Sequence, residues 1–230
     1  MALPADDPGR RALPPDLGRL LHDLRGPLNS LTMHLEVLKR SVRDDDPMAE
    51  DSVRTVLEQL GRLSKMLPAA FSVAALEVTR WQPVDLGAVA TAVQKAAGGP
   101  VTLSEERWPI VVGDEGLLRV ALGHLVGNAV EATAAAGSPR PPSVSASTDG
   151  DETRLTVRDW GPGLPTADPR LLIRLLHSTK PGHAGLGLVT VERIARLHGG
   201  AVRFACPGDG TIATLTLPTG GLAGQPLAGQ

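Results

Sequence analysis

Apolar residues from Leu17 to Val42 recur at spacings that alternate between four and three: Leu17, Leu21, Leu24, Leu28, Leu31, Leu35, Leu38 and Val42. Few folds can use such a stripe. It is a heptad seam, the pattern of a helix that lays one narrow face against other helices. Asp16 stands where an N-cap is wanted, and three aspartates and a proline within Arg43–Pro47 break the run. A second seam follows at Val53, Val56, Leu60, Leu63, Leu67, Ala70 and Ala74, with Pro68 inside it. That proline should kink or split the second helix. Two such helices joined by a short turn leave an apolar stripe that one hairpin cannot cover. Pairing two copies into a four-helix bundle covers it, so a homodimer is expected. The stripe could instead pack on the rest of the same chain, but eight seam positions in a row exceed what an ordinary globular helix needs.

The pattern changes near Arg80–Pro83. Beyond it the spacing predicts helices over 85–97, 114–135 and 186–197, the last closed by His198-Gly199-Gly200. Strands are expected at 101–104, 143–148, 153–159, 201–206 and 211–217, with Asp149–Gly150 turning a hairpin. The expected fold class is therefore α+β: an N-terminal helical hairpin followed by an α/β sandwich of one sheet and one helical layer. The expected divisions are a flexible arm at 1–15, the hairpin at 16–79, the sandwich at 80–218 and a disordered tail at 219–230.

With no Tyr, two Phe and three Trp in 230 residues, and 42% hydrophobic residues, both cores must be aliphatic. A formal net charge of −2 offers no basic footprint for nucleic acid. Cys206 is the only cysteine, so no intrachain disulfide can form and a reducing compartment is expected. No apolar run approaches the ~20 residues of a membrane span, and residues 1–15 lack a signal-peptide core. The expectation is a soluble, cytoplasmic chain with no membrane partner.

Two distant patterns carry chemistry. The first is HDLRGPLN at His22–Asn29. His22 follows the seam position Leu21, which places it at the edge of the seam, partly exposed on a rigid element. A neutral imidazole is a good nucleophile near pH 7. Pro27 has no N–H, so the carbonyl of Asp23 loses its helix partner and the backbone there is loosened. The second pattern has three parts: Asn128 in LVGNAVEA, Asp159 in DWGPG, and GLGL at Gly185–Leu188. Each is unremarkable alone. A lone His-Asp pair is usually solvated, DWGPG is an ordinary turn and GLGL a common glycine pair; order and separation give them weight.

Together, over about residues 16–218, these motifs resemble a two-component sensor histidine kinase. The resemblance implies an ATP-dependent protein-histidine kinase that phosphorylates itself on His22, with Asp23 as the partner of the ring. It makes Asn128 the Mg²⁺ ligand and Asp159 the acceptor of the adenine amine, with Gly161 and Gly163 turning the chain beneath the base. Lys180, Gly185, Leu186 and Gly187 then face the phosphates, as amides at a helix N-terminus favour anions. The implied cofactors are ATP and Mg²⁺. The implied partners are a second copy of the chain and a response-regulator receiver domain; as only about fifteen residues precede the first helix, a signal is expected to arrive through a separate sensor protein or the short arm, or there is none. Gly26 stands where the family has the Thr or Asn implicated in dephosphorylating the partner, a departure that leaves hydrolytic phosphatase activity open. His124 stands where kinases usually have Asn and hydrolysing relatives have Glu. The rival readings are a phosphotransfer adaptor with a vestigial ATP domain, a non-catalytic dimeric scaffold, and an ATPase or serine kinase. The last would have no use for HDLRGPLN.

Overall fold

The computed structural model describes residues 26–38, 47–164 and 186–220. The chain divides into two compact units, one up to Ala70 and one from Phe71 onward. In the first unit residues 26–38 are helical (α1), and α2 spans Pro47–Ala74. Pro47 does not belong to the break but opens the helix, where its missing N–H costs nothing. Pro68 does not split α2, which runs unbroken over 28 residues. One lost hydrogen bond is carried by the turns on either side, built from Leu67, Ala69 and Ala70.

Among the described residues the seam is only half covered within one chain. Leu31 and Leu63 are buried, whereas Leu28, Leu35, Val53, Leu60 and Leu67 keep 42–53% of their surface exposed. Leu17, Leu21, Leu24 and Val42 lie outside the described residues. No described helix is long and apolar enough to cross a membrane.

In the second unit β2 (Thr102–Leu103), β4 (Ser143–Asp149), β5 (Glu152–Arg158), β7 (Ile212–Pro218) and β6 (Ala201–Ala205) form one sheet in the order β2-β4-β5-β7-β6. Only β2–β4 is parallel. Strict alternation puts Val144, Ala146, Leu155, Val157, Ala213, Leu215 and Leu217 on one face. On that face lie α3 (Leu86–Ala96), α4 (Glu115–Ala135) and α5 (Gly187–Leu197), which contribute Val89, Leu118, Leu122, Leu125 and Ile194 to the same core. The cross-strand pairs Ala146↔Leu155 and Leu155↔Leu215 stack its centre. The core is aliphatic, as the composition requires.

A second sheet was not legible in the sequence. Strand β1 (Gln82–Asp85) pairs antiparallel with β3 (Ile110–Gly113). Each is four residues long, β1 contains Pro83, and their partnership spans α3 and β2. No local pattern reports such a pairing.

Asp114 and His198 join the ends of α4 and α5. Asp114 caps α4, its Oδ1 accepting from Leu117 N at 3.1 Å. Its Oδ2 accepts from Thr79 N and Thr79 Oγ1, each at 3.0 Å, and from Arg80 N at 3.4 Å. The Asp114 N–H in turn donates to His198 Nε2 at 3.0 Å, and His198 Nδ1–H donates to Ile194 O at 2.8 Å. These partners demand a neutral ring. Trp81 packs on that ring at 5.4 Å between centroids. Burial of Asp114 alone would raise its pKa, but hydrogen bonds from Leu117, Thr79 and Arg80 outweigh it and the net shift is downward. Burial likewise lowers the pKa of His198, against the opposing pull of Ile194 O and Asp114.

With the folded pKa of His198 below its ordinary 6.5, the unfolded chain binds more protons between the two values. The stability owed to neutral His198 is complete above about pH 6.5 and drains away as pH falls towards the folded value. Melting temperature should therefore fall between pH 7 and pH 5. Replacing His198 with Phe should lower stability at pH 7 by about 1–3 kcal/mol, since Asp114 N–H loses its acceptor, and flatten the pH dependence. Differential scanning calorimetry of both chains across that range is the check.

Candidate nucleotide site

The site is assembled from the second half of α4, the segment after β5, the turn between β6 and β7, and the start of α5. A cavity of about 160 Å³ lies between them, with apolar walls from Leu125, Ala129, Val157, Leu188, Phe204 and Ala213. Asp159 and Thr211 supply polar groups, and Asn128 joins the lining from α4. Larger hollows of about 640 and 620 Å³ lie elsewhere in the unit. One involves Arg154, Arg203 and Thr216 of the sheet; the other lies beside Trp108 and Ile110. Neither contains a candidate site residue named from the sequence. The small cavity contains three: Asn128, Asp159 and Gly163.

Asp159 follows the last residue of β5 and is buried. Its Oδ1 accepts two backbone donors, Gly161 N and Thr211 N, both at 2.9 Å, while its own N–H donates to Thr211 O at 2.9 Å. Oδ2 has no partner among the described residues. The carboxylate is thus pinned by one oxygen and offers the other to a donor entering the cavity. Gly163 has φ +84°, and a Cβ there would meet Cys206 Sγ at 2.6 Å. Gly210 has φ +106°, and a Cβ there would collide with Asp159 O. Both positions need glycine for conformation and for space. The Cys206 thiol donates to Gly210 O at 3.2 Å within the turn between β6 and β7.

Trp160 points away from this arrangement. Its indole N–H donates to Pro141 O at 3.0 Å, and Arg158 and Arg140 lie over the ring at 4.5 and 5.1 Å. Its backbone N–H donates to Thr133 Oγ1 at 3.1 Å, which holds the DWGPG segment against α4.

At the other end, α5 begins at Gly187 with Leu186 as N-cap, and no side chain caps it. Its first-turn amides are open to an anion. His124, one turn before Asn128 on α4, lies against that first turn, and desolvation there lowers its pKa. Gly161 is closely packed: a Cβ on it would meet Ala132 Cβ at 2.8 Å.

Of the residues expected from the sequence, Asn128, Asp159, Gly161, Gly163, Leu186 and Gly187 belong to this one region. His22, Asp23, Lys180 and Gly185 lie outside the described residues. Thr211, Gly210 and Phe204 were not anticipated. Their link to Asp159 spans about fifty positions, and only strand pairing β5–β7 brings them together.

Residues 113–221 match the family of histidine kinase-, DNA gyrase B- and HSP90-like ATPases, and residues 17–68 match the His kinase A phospho-acceptor domain. The chain belongs to the sensor histidine kinase family. It is 29% identical over 216 residues to the histidine-protein kinase AtoS of Escherichia coli K12, covering 88% of this chain and 35% of that protein. It is 30% identical over 218 residues to the sensor-like histidine kinase SenX3 of Mycolicibacterium smegmatis, covering 86% of this chain and 55% of the relative. The chain thus spans about a third to a half of the length of these relatives. Full-length ShkA, solved in complex with AMPPNP, shares the fold, with a TM-score of 0.57 at 24% identity over 92% of this chain and 47% of that one.

Two substitutions separate binding from folding. Asp159→Asn keeps an oxygen for Gly161 N and Thr211 N but removes the charged acceptor. It should lower adenine-nucleotide affinity by about ten- to a hundredfold, the value of a hydrogen bond to a charged group, with little change in melting temperature. Gly210→Ala should instead destabilise the fold by about 1–3 kcal/mol or more through backbone strain. Calorimetric titration with ADP and chemical denaturation distinguish the two effects.

Proposed function

We propose that this chain is the catalytic core of a dimeric histidine kinase that phosphorylates itself on His22 from Mg-ATP and passes the phosphoryl group to an aspartate of a separate response regulator. The observation that carries the reading is Asp159, held by Gly161 N and Thr211 N with its second oxygen free in an apolar cavity. An apolar slot with one pinned acceptor suits a flat heterocycle bearing an exocyclic amine. ATP is therefore the nucleotide class of choice.

In this reading the triphosphate extends from the cavity towards the uncapped N-terminus of α5, where Leu186 and Gly187 present amides. Lys180 and Gly185 complete that end by their place in the motif. The exposed amide of Asn128 suits a hard cation such as Mg²⁺. When bound, that ion neutralises phosphate charge and fixes the triphosphate geometry. His22 attacks the γ-phosphorus with a ring nitrogen, forming an N–P bond as the bond to the ADP oxygen breaks, while Asp23 holds the opposite edge of the ring. The phosphoryl group then moves to a receiver carboxylate, which regenerates neutral His22. The half-covered seam of α1 and α2 supports pairing of two chains, with Leu28, Leu35, Leu60 and Leu67 at the interface.

With γ-labelled ATP and Mg²⁺, the native chain should take up label that is labile in acid and stable in base, and His22→Gln should take up none. Label that survives this substitution would remove His22 from the reaction. Native chain that binds nucleotide without labelling would favour the phosphotransfer-adaptor reading. The double variant Leu28→Asp/Leu60→Asp should sediment as a monomer where the native chain sediments as a dimer.

A further inference from the structure

Asp159 sits between Arg158 and Trp160, and extended backbone sends its side chain to one side of the chain and theirs to the other. Asp159 faces the base-sized cavity. On the opposite side the Arg158 guanidinium lies 4.5 Å over the Trp160 ring. Its Nη2 donates to Asp209 O at 3.0 Å and also to the Asp209 carboxylate. The indole is itself anchored, its N–H donating to Pro141 O at 3.0 Å. Asp209 belongs to the β6–β7 turn, between Gly208 at φ +103° and Gly210 at φ +106°. The residue that ends this turn, Thr211, donates its N–H to Asp159 Oδ1 at 2.9 Å.

Two ordinary roles for an arginine do not fit. A surface ion pair is held by two solvated charges, whereas the Arg158 side chain keeps 17% of its surface against 66% for Asp209. One of its two bonds also goes to a backbone carbonyl, which no substitution of Asp209 removes. A purely stabilising role fits no better. Arg158 Nε is buried and meets no acceptor among the described residues, and a buried donor without a partner costs folding free energy. What the guanidinium achieves is local. A turn with two glycines at positive φ has wide conformational freedom. Among the described residues, Asp159 and Arg158 are the only side chains of another segment that hydrogen-bond to it.

We propose that Arg158 is a positioning residue for base recognition: by holding Asp209 it fixes the β6–β7 turn and, through Thr211, the carboxylate of Asp159. The inference rests on the nucleotide reading of this site. Recognition of an exocyclic amine by one carboxylate oxygen needs that oxygen held to within about 0.5 Å. A turn free to drift carries Thr211 N away and lets the carboxylate rotate. The amine then loses its acceptor, while the apolar walls still admit a base of either kind. The latch therefore acts on selectivity for the amine more than on shape. Arginine suits the task because its plane stacks on the indole while its edge donates, which an ammonium cannot match.

The test is calorimetric titration of the full chain with ADP and with inosine diphosphate, whose base carries an oxygen in place of the amine. The native protein is compared with Arg158→Ala, Arg158→Lys and Asp209→Ala. The native protein should prefer ADP. Arg158→Ala should lower ADP affinity by about tenfold and inosine diphosphate affinity much less, so that the preference narrows. Arg158→Lys and Asp209→Ala, each of which retains a cation facing the Asp209 carbonyl, should fall between. Amide hydrogen exchange should quicken at Thr211 in Arg158→Ala and stay unchanged at Leu155 and Leu215 in the sheet. Thermal melts check the fold, and if Arg158→Ala does not fold the two milder variants carry the comparison. An unchanged ratio of the two affinities in the folded variants would overturn the inference and leave the nucleotide reading standing. No ADP binding by the native protein, or equal binding of both nucleotides, would overturn both.

Discussion

The carboxylate of Asp114 organises the ATPase-like unit more than any single apolar contact. One oxygen caps α4 and the other gathers three donors from Thr79 and Arg80, while the residue's own N–H is accepted by His198 at the end of α5. Three segments far apart in sequence meet at one buried charge. Such a charge is tolerated only because its donors are supplied in full. The consequence reaches the site. Asn128 and His124 ride on α4, Gly187 and Leu188 open α5, and the relative placing of those helices is held at their far ends by Asp114 and His198.

A similar logic operates at the base-sized cavity. The sheet brings the end of β5 beside the start of β7, and Asp159 exchanges backbone hydrogen bonds with Thr211 there. Gly163 and Gly210 allow the two turns to approach closely enough for this, and the Cys206 thiol braces the β6–β7 turn from within. Trp160 and Thr133 then fasten the same segment to α4. The free oxygen of Asp159 is therefore positioned by rigid backbone, not by a flexible side chain, which is what recognition of a flat base requires.

Much of this was legible in the chain. Period-2 alternation located β4, β5, β6 and β7 to within a residue or two, because each hides one face and wets the other. Asp85 and Asp114 stood at the expected starts of two helices, and both prove to be N-caps that accept first-turn amides. Other features were silent for physical reasons. Strands β1 and β3 are too short for a period to register and find each other across α3 and β2. Pro68 reads as a break, yet a long helix tolerates it. Thr211, Gly210 and Phe204 carry no local mark, since their role comes from the pairing of β5 with β7.

What the sequence determined by itself was periodicity and chemistry: two heptad helices with too much apolar face for one hairpin, a one-sided sheet, an aliphatic core, and an ordered set of motifs around Asn128, Asp159 and Gly187. These are local properties, written in spacings of two, three and four residues. Only the tertiary structure decided which residues converge: that Asp159 is pinned by Thr211, that Asp114 is met by His198, and that His124 lies on the terminus of α5. Convergence depends on how layers pack and strands register. It is a sum over many weak contacts distant in sequence, so no short stretch of the chain encodes it.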